Sequence, residues 1–216
     1  MAQKGCEPER EILHRYSEPW EKSDFILKVE SEKLHVHKTV LELASPVISN
    51  ILQSTRTSDE LLITNKKVKV VVLMLDLIYP AGPFIEDITC YKELLDLSKE
   101  YEIVKIRETV DRLLAQIMLI EQTKYNNKSY FSSLRFKSEE IKSMVLAIEY
   151  LKAAEQHCLL KTKERCCSLL IHCCYGEPFE SREYRSLSPA IQLSILKAKL
   201  QPLKVNNNSI KSIIKF

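Results

Sequence analysis

Between His157 and Cys174, eighteen residues hold His157, Cys158, Cys166, Cys167, His172, Cys173 and Cys174. These residue types ligate zinc or supply a thiolate nucleophile. Structural zinc sites favour cysteine pairs separated by two to four residues and repeated once. Here Cys166 and Cys173, like Cys167 and Cys174, stand seven apart on one predicted helix, interleaved with Leu169 and Leu170. Cysteine packs as a small apolar residue, so this spacing favours a core over a metal site. The adjacent pairs His157-Cys158 and His172-Cys173 make poor catalytic dyads, because neighbours on a helix point about 100° apart. No glycine-rich turn is at hand to form an oxyanion hole. Gly5, Gly82 and Gly176 are the only glycines and are too scattered for a phosphate loop. His35 and His37 read as a solvated or hydrogen-bonded pair on one strand. No enzyme activity, metal or cofactor is expected.

The whole chain points the same way. Its 216 residues suffice for one large or two small domains, and 45% hydrophobic residues with three glycines indicate an ordered, mostly helical protein. The 32 basic and 29 acidic residues are interspersed and leave a net charge of +3, so neither a nucleic-acid nor a membrane partner is expected. No stretch reaches the ~20 apolar residues of a membrane span, and MAQKGCEPEREILHR lacks the apolar core of a secretion signal. A cytoplasmic or nuclear location with reduced cysteines is the expectation.

Residues 7 to 20 predict a short amphipathic helix, with Ile12, Leu13 and Tyr16 on one face and Trp20 just beyond it. FILKV (25–29) and LHVH (34–37) alternate as strands about the polar residues 30–33, predicting a hairpin. From Lys38 the period becomes helical, with Val40, Leu41 and Ala44 on one side. Ser45 then caps a second helix that has Pro46 at its first position and Val47, Ile48, Ile51 and Leu52 as its apolar face. A polar loop, QSTRTSDE, leads to a strand at 61–64. The run KKVKVVVLMLDLIYP fits both periods locally; its length and Asn65 as a cap favour a helix that Pro80 and Gly82 end.

Downstream, LLDLSKEYEIVKIRETVDRLL (94–114) and YLKAAEQHCLLKTKERCCSLL (150–170) align without a gap. Leu95, Lys105, Glu108, Leu113 and Leu114 fall on Leu151, Lys161, Glu164, Leu169 and Leu170. Each reads as helix, tight turn, helix. A linker is expected over 121–138, helices over 139–200 with Ser188 and Pro189 starting one of them, and a flexible tail over 201–216.

This order of elements resembles the BTB/POZ domain over residues 20–120, with 1–19 as an N-terminal extension. Asp24 before FILKV carries the resemblance, together with LHVHKTVLELASPVISNIL, in which His37-Lys38, Val40-Leu41 and Ser45 fall at the family's spacing. The IYP ending is similar to BTB domains joined to MATH domains, and residues 139–200 more weakly resemble a partial BACK helical region. The resemblance implies an α+β BTB fold, a small β-sheet flanked by helices, followed by an all-α BACK-like region.

It also implies a protein-binding module that forms homodimers or pairs with other BTB proteins. The dimer face would fall on Ile12, Leu13, Tyr16, Trp20, Asp24, His37 and Lys38. It further implies a substrate adaptor for a cullin-3 RING E3 ubiquitin ligase, with Leu52, Thr57, Ser58 and Asp59 as candidate cullin contacts. The 53–60 loop lacks the hydrophobic residue that cullin-binding relatives place two before a glutamate. The alternative is therefore a BTB scaffold or transcription-associated module that does not touch cullin. The sequence carries neither a MATH-sized extension nor kelch repeats, so it reads as a short form pairing with longer relatives or one reading partners through its helical half.

Overall fold

The structure, a computed structural model, describes residues 14–54, 59–79, 89–126, 134–172 and 177–200. The chain divides into two units, Met1–Ile106 and Arg107–Phe216. In the first, β1 (Phe25–Val29) buries Phe25, Leu27 and Val29 and leaves Ile26 and Lys28 partly exposed, as a period of two requires. The hairpin is tighter than its four polar residues suggest. Only Glu30 and Ser31 lie between the strands, Glu30 with φ of 53°, and Glu32 and Lys33 already belong to β2 (Glu32–Val36). The strands pair antiparallel, Phe25 opposite Val36 and Val29 opposite Glu32.

His37 is not the last strand residue but the N-cap of α1 (Lys38–Ala44). Ser45 separates α1 from α2 (Pro46–Ser54) and caps it as expected: its buried hydroxyl accepts the Ile48 amide at 3.0 Å and donates to the Tyr101 carbonyl. The chain returns in β3 (Glu60–Ile63), parallel to β1, and the sheet order is β2-β1-β3. The ambiguous run resolves as α3 (Val68–Ile78), which buries Val70, Val71, Met74, Leu75 and Ile78. Asn65 does not cap it; it lies in the preceding turn at φ 59°, and the Val68 amide is instead met by the Glu30 carboxylate at 3.0 Å. The expected stops Pro80 and Gly82 lie outside the described residues. At the far end Lys105 donates to the Ile78 carbonyl at 2.9 Å.

The gap-free sequence match is also a match of structure at the two turns. Helices α4 (Tyr91–Glu100) and α5 (Val104–Asn126) form the first copy, α6 (Leu134–His157) and α7 (Leu160–His172) the second. Both turns put a residue in the left-handed region at the same aligned position, Glu102 at φ 54° and Cys158 at φ 57°. Both close with the same backbone bond, Ile103 N–H to Ser98 O at 2.8 Å and Leu159 N–H to Ala154 O at 3.0 Å, a helix-ending geometry that satisfies orphan carbonyls. Cys166 falls where the first copy has Val110, and both are buried. The thiol occupies an apolar position, and burial pushes its pKa up. Cys173 and Cys174 lie outside the described residues.

The second unit continues with α8 (Glu177–Glu180), α9 (Arg182–Arg185) and α10 over residues 189–200. Ser188 precedes α10, and its hydroxyl accepts the Ile191 amide at 3.4 Å. Helix occupies both ends of the stretch read as linker, up to Asn126 and from Leu134. The tail, 201–216, lies outside the described residues. The fold is α+β: a three-stranded sheet flanked by helices, then helices alone among the described residues.

Candidate functional site

The segment before β1 was expected to be helical. Ile12 and Leu13 lie outside the described residues, and 14–20 is a run of turns. Ser17 explains part of this: its hydroxyl donates to the His14 carbonyl at 2.7 Å, competing with helical bonding, and Pro19 follows two residues on. The turns are fastened to the outer edge of β2. His35 donates its amide to the Tyr16 carbonyl at 2.8 Å, and its own carbonyl accepts the Trp20 indole N–H at 2.8 Å.

Tyr16 is fully buried and closes a polar knot with α3. Its hydroxyl donates to Asp76 Oδ1 at 2.9 Å and accepts from Arg15 at 2.6 Å. The Arg15 guanidinium lies 3.3 Å from Asp76, 4.8 Å from the Tyr16 ring centre and 5.5 Å from those of Trp20 and Tyr79, within cation–π range. Burial pushes the Tyr16 phenol pKa up and outweighs the opposing bond from Arg15. Tyr79 is pushed up for the same first reason, burial.

Trp20 stands edge-on to His37, with ring centres 4.9 Å apart at 87°, and lies 5.3 Å from Tyr79. His37 Nε2 is 2.9 Å from the Glu21 carbonyl, which can only accept, so that nitrogen carries the proton. Nδ1 then accepts from the Tyr79 hydroxyl at 3.1 Å, and the hydroxyl oxygen accepts the His37 backbone N–H at 2.7 Å. His37 is therefore hydrogen-bonded and packed rather than solvated. Asp24 Oδ1 accepts the Lys38 amide at 2.8 Å and caps α1, for which His37 makes no side-chain cap bond. Asp24 and Lys38 meet through that backbone amide.

Five of the residues read as a dimer face thus form one continuous structure. Tyr16 is its buried root, Trp20, His37 and Lys38 are half-buried, and Asp24 is exposed. Sequence reasoning missed Arg15, Asp76 and Tyr79; the last two arrive from α3 with no spacing signal to betray them. It also passed over Leu43, which is off the Val40/Leu41/Ala44 face and 84% exposed on α1. Of the second group, Leu52 and Asp59 lie among the described residues. Leu52 is 1% exposed. Asp59 is exposed and its carbonyl accepts the Ile26 amide at 3.0 Å. Thr57 and Ser58 lie outside the described residues. Among the described residues no three His, Cys, Asp or Glu side chains converge as metal ligands, and no helix is long and apolar enough to cross a membrane.

Residues 13–117 match the family model of the BTB/POZ domain. Among solved structures, the BTB domain of zebrafish PATZ1 is 24% identical, over 44% of this chain and 76% of that one, with a TM-score of 0.38. Comparison with curated proteins gives no match. Residues 13–117 of this chain are a BTB/POZ domain, and the class of domain this defines is the protein–protein interaction and oligomerisation module.

Proposed function

We propose that this chain is a non-enzymatic adaptor or scaffold. It homodimerises through the BTB face around Trp20, Asp24, His37 and Lys38, and joins a cullin-3 RING ubiquitin ligase to a substrate. The observation that carries the self-association is the fastening of residues 14–24: two bonds to the His35 backbone, one of them from the Trp20 indole, the Tyr16–Asp76 bond and the Asp24 cap hold a half-exposed tryptophan on a rigid footing. A tryptophan held in this way loses little conformational freedom when a second surface covers it, which is the profile of an interface anchor. The helical second unit, BACK-like in sequence, would then meet further partners, in the cytoplasm or nucleus.

Burial of Leu52 and the polar 53–60 sequence favour a second reading, a BTB scaffold or transcription-associated module that does not bind cullin. A pull-down with the N-terminal region of cullin-3 separates the two. Retention of the chain, weakened by Asp59→Lys, supports the adaptor; no retention by a chain that still dimerises supports the scaffold.

A further inference from the structure

The two edges of the sheet are treated differently. At the β2 edge, both backbone groups of His35 are taken by Tyr16 and Trp20. The β3 edge is open among the described residues. In the parallel register Ile26 lies opposite Glu60 and its amide bonds the Asp59 carbonyl, so alternation turns the backbone groups of Leu61 and Ile63 toward β1 and those of Leu62 away from it. Among the described residues no hydrogen bond reaches the Leu62 amide or carbonyl. Leu62 as a residue is 61% exposed. Edges are ordinarily blunted by an inward charge, a proline, a bulge or a covering segment, and β3, Glu-Leu-Leu-Ile, has none of these inside the strand: Glu60 stands at its start and is paired with Lys28.

We propose that this edge is a second interaction surface, and that its occupant is the β3 edge of another copy, antiparallel about a two-fold axis at Leu62. The strand is self-complementary in that register. Leu62 faces Leu62 of the second copy and the two exchange a pair of N–H···O bonds, Leu61 falls opposite Ile63, and Glu60 falls opposite Thr64, so no like charges meet. Every bond this pairing makes at its centre uses a group the single chain leaves bare. The surface lies on β3 and is separate from the face around Trp20, so it does not depend on that face being a dimer interface. A strand pair is far smaller than the ~800 Å² per partner of a standard interface. The contact is therefore weak and shows itself as growth in mass with concentration.

The test is light scattering on the full chain from low to high micromolar concentration, with far-ultraviolet circular dichroism to check folding. The expected result is a wild-type mass that climbs with concentration to at least twice its low-concentration value. Leu62→Lys and Leu62→Glu, each placing like charges at the two-fold axis, should each abolish the climb, and an equimolar mixture of the two should restore it. Leu62→Pro removes only the outward amide, a change open edges tolerate, and should also abolish the climb should the charged variants fold poorly. A wild-type mass that stays constant, variants that climb as the wild type does, or a mixture that fails to recover would each overturn the proposal.

Discussion

Tyr79 holds His37 from two sides, accepting its backbone amide and donating to its ring. Removing one hydroxyl therefore strands two partners. Tyr79→Phe is expected to destabilise the chain by about 1–3 kcal/mol, the cost of leaving buried groups unpaired, read as a lower urea midpoint at unchanged slope. Ser45 is a comparable residue with two simultaneous bonds, and Ser45→Ala should cost about 1–2 kcal/mol through loss of the α2 cap. The buried phenols also set an alkaline limit. Tyr16 and Tyr79 keep their protons in the folded state at pH values where the unfolded chain, titrating near the ordinary tyrosine value of about 10, has released them. The unfolded state then binds fewer protons than the folded, so stability is fully present below about pH 10 and declines as pH rises above it. Urea midpoints measured from pH 8 upward should show this fall, and Tyr16→Phe should make it shallower.

Among the elements, helix starts recur as long-range bonds to carboxylates: Asp24 to α1, Glu30 to α3, Asp111 to the Thr162 amide at 2.8 Å in α7, and Glu155 to the Ser188 amide at 3.2 Å before α10. Such charge-assisted bonds also complement the positive end of the helix dipole. The caps that sequence can name are local, and Ser45 and Ser188 were read from their own helices. Asp111 could not be, because its acceptor role exists only once α5 and α7 lie side by side. The same distinction explains the candidate site. Asp24, His37 and Lys38 could be named because they sit in the stretch that carries the BTB/POZ resemblance, whereas Asp76 and Tyr79 enter from α3. The repeat was legible for the opposite reason: a hairpin is local, and its apolar positions recur at equal spacing. Its two left-handed residues make a further prediction, since neither Glu102 nor Cys158 suits that conformation. Glu102→Gly and Cys158→Gly should each stabilise the chain by about 0.5–1 kcal/mol, seen as a raised thermal midpoint. An equal effect at both sites would show that the two turns are energetically as well as geometrically alike.

For the molecule as a whole, the proposed function gives association to the BTB/POZ domain, and further partners would meet the helices that follow it. Two distinct two-fold surfaces on one chain, the face around Trp20 and the β3 edge, would allow pairs to join into larger closed or open assemblies. The account stands first on the face around Trp20, which does not require the weaker edge. Size-exclusion chromatography with light scattering at low micromolar concentration tests it most directly. The expected mass is twice that of the chain, falling toward one chain when Trp20 is replaced by alanine in a variant that remains folded. A wild-type chain that elutes as a clean monomer at that concentration would contradict the account.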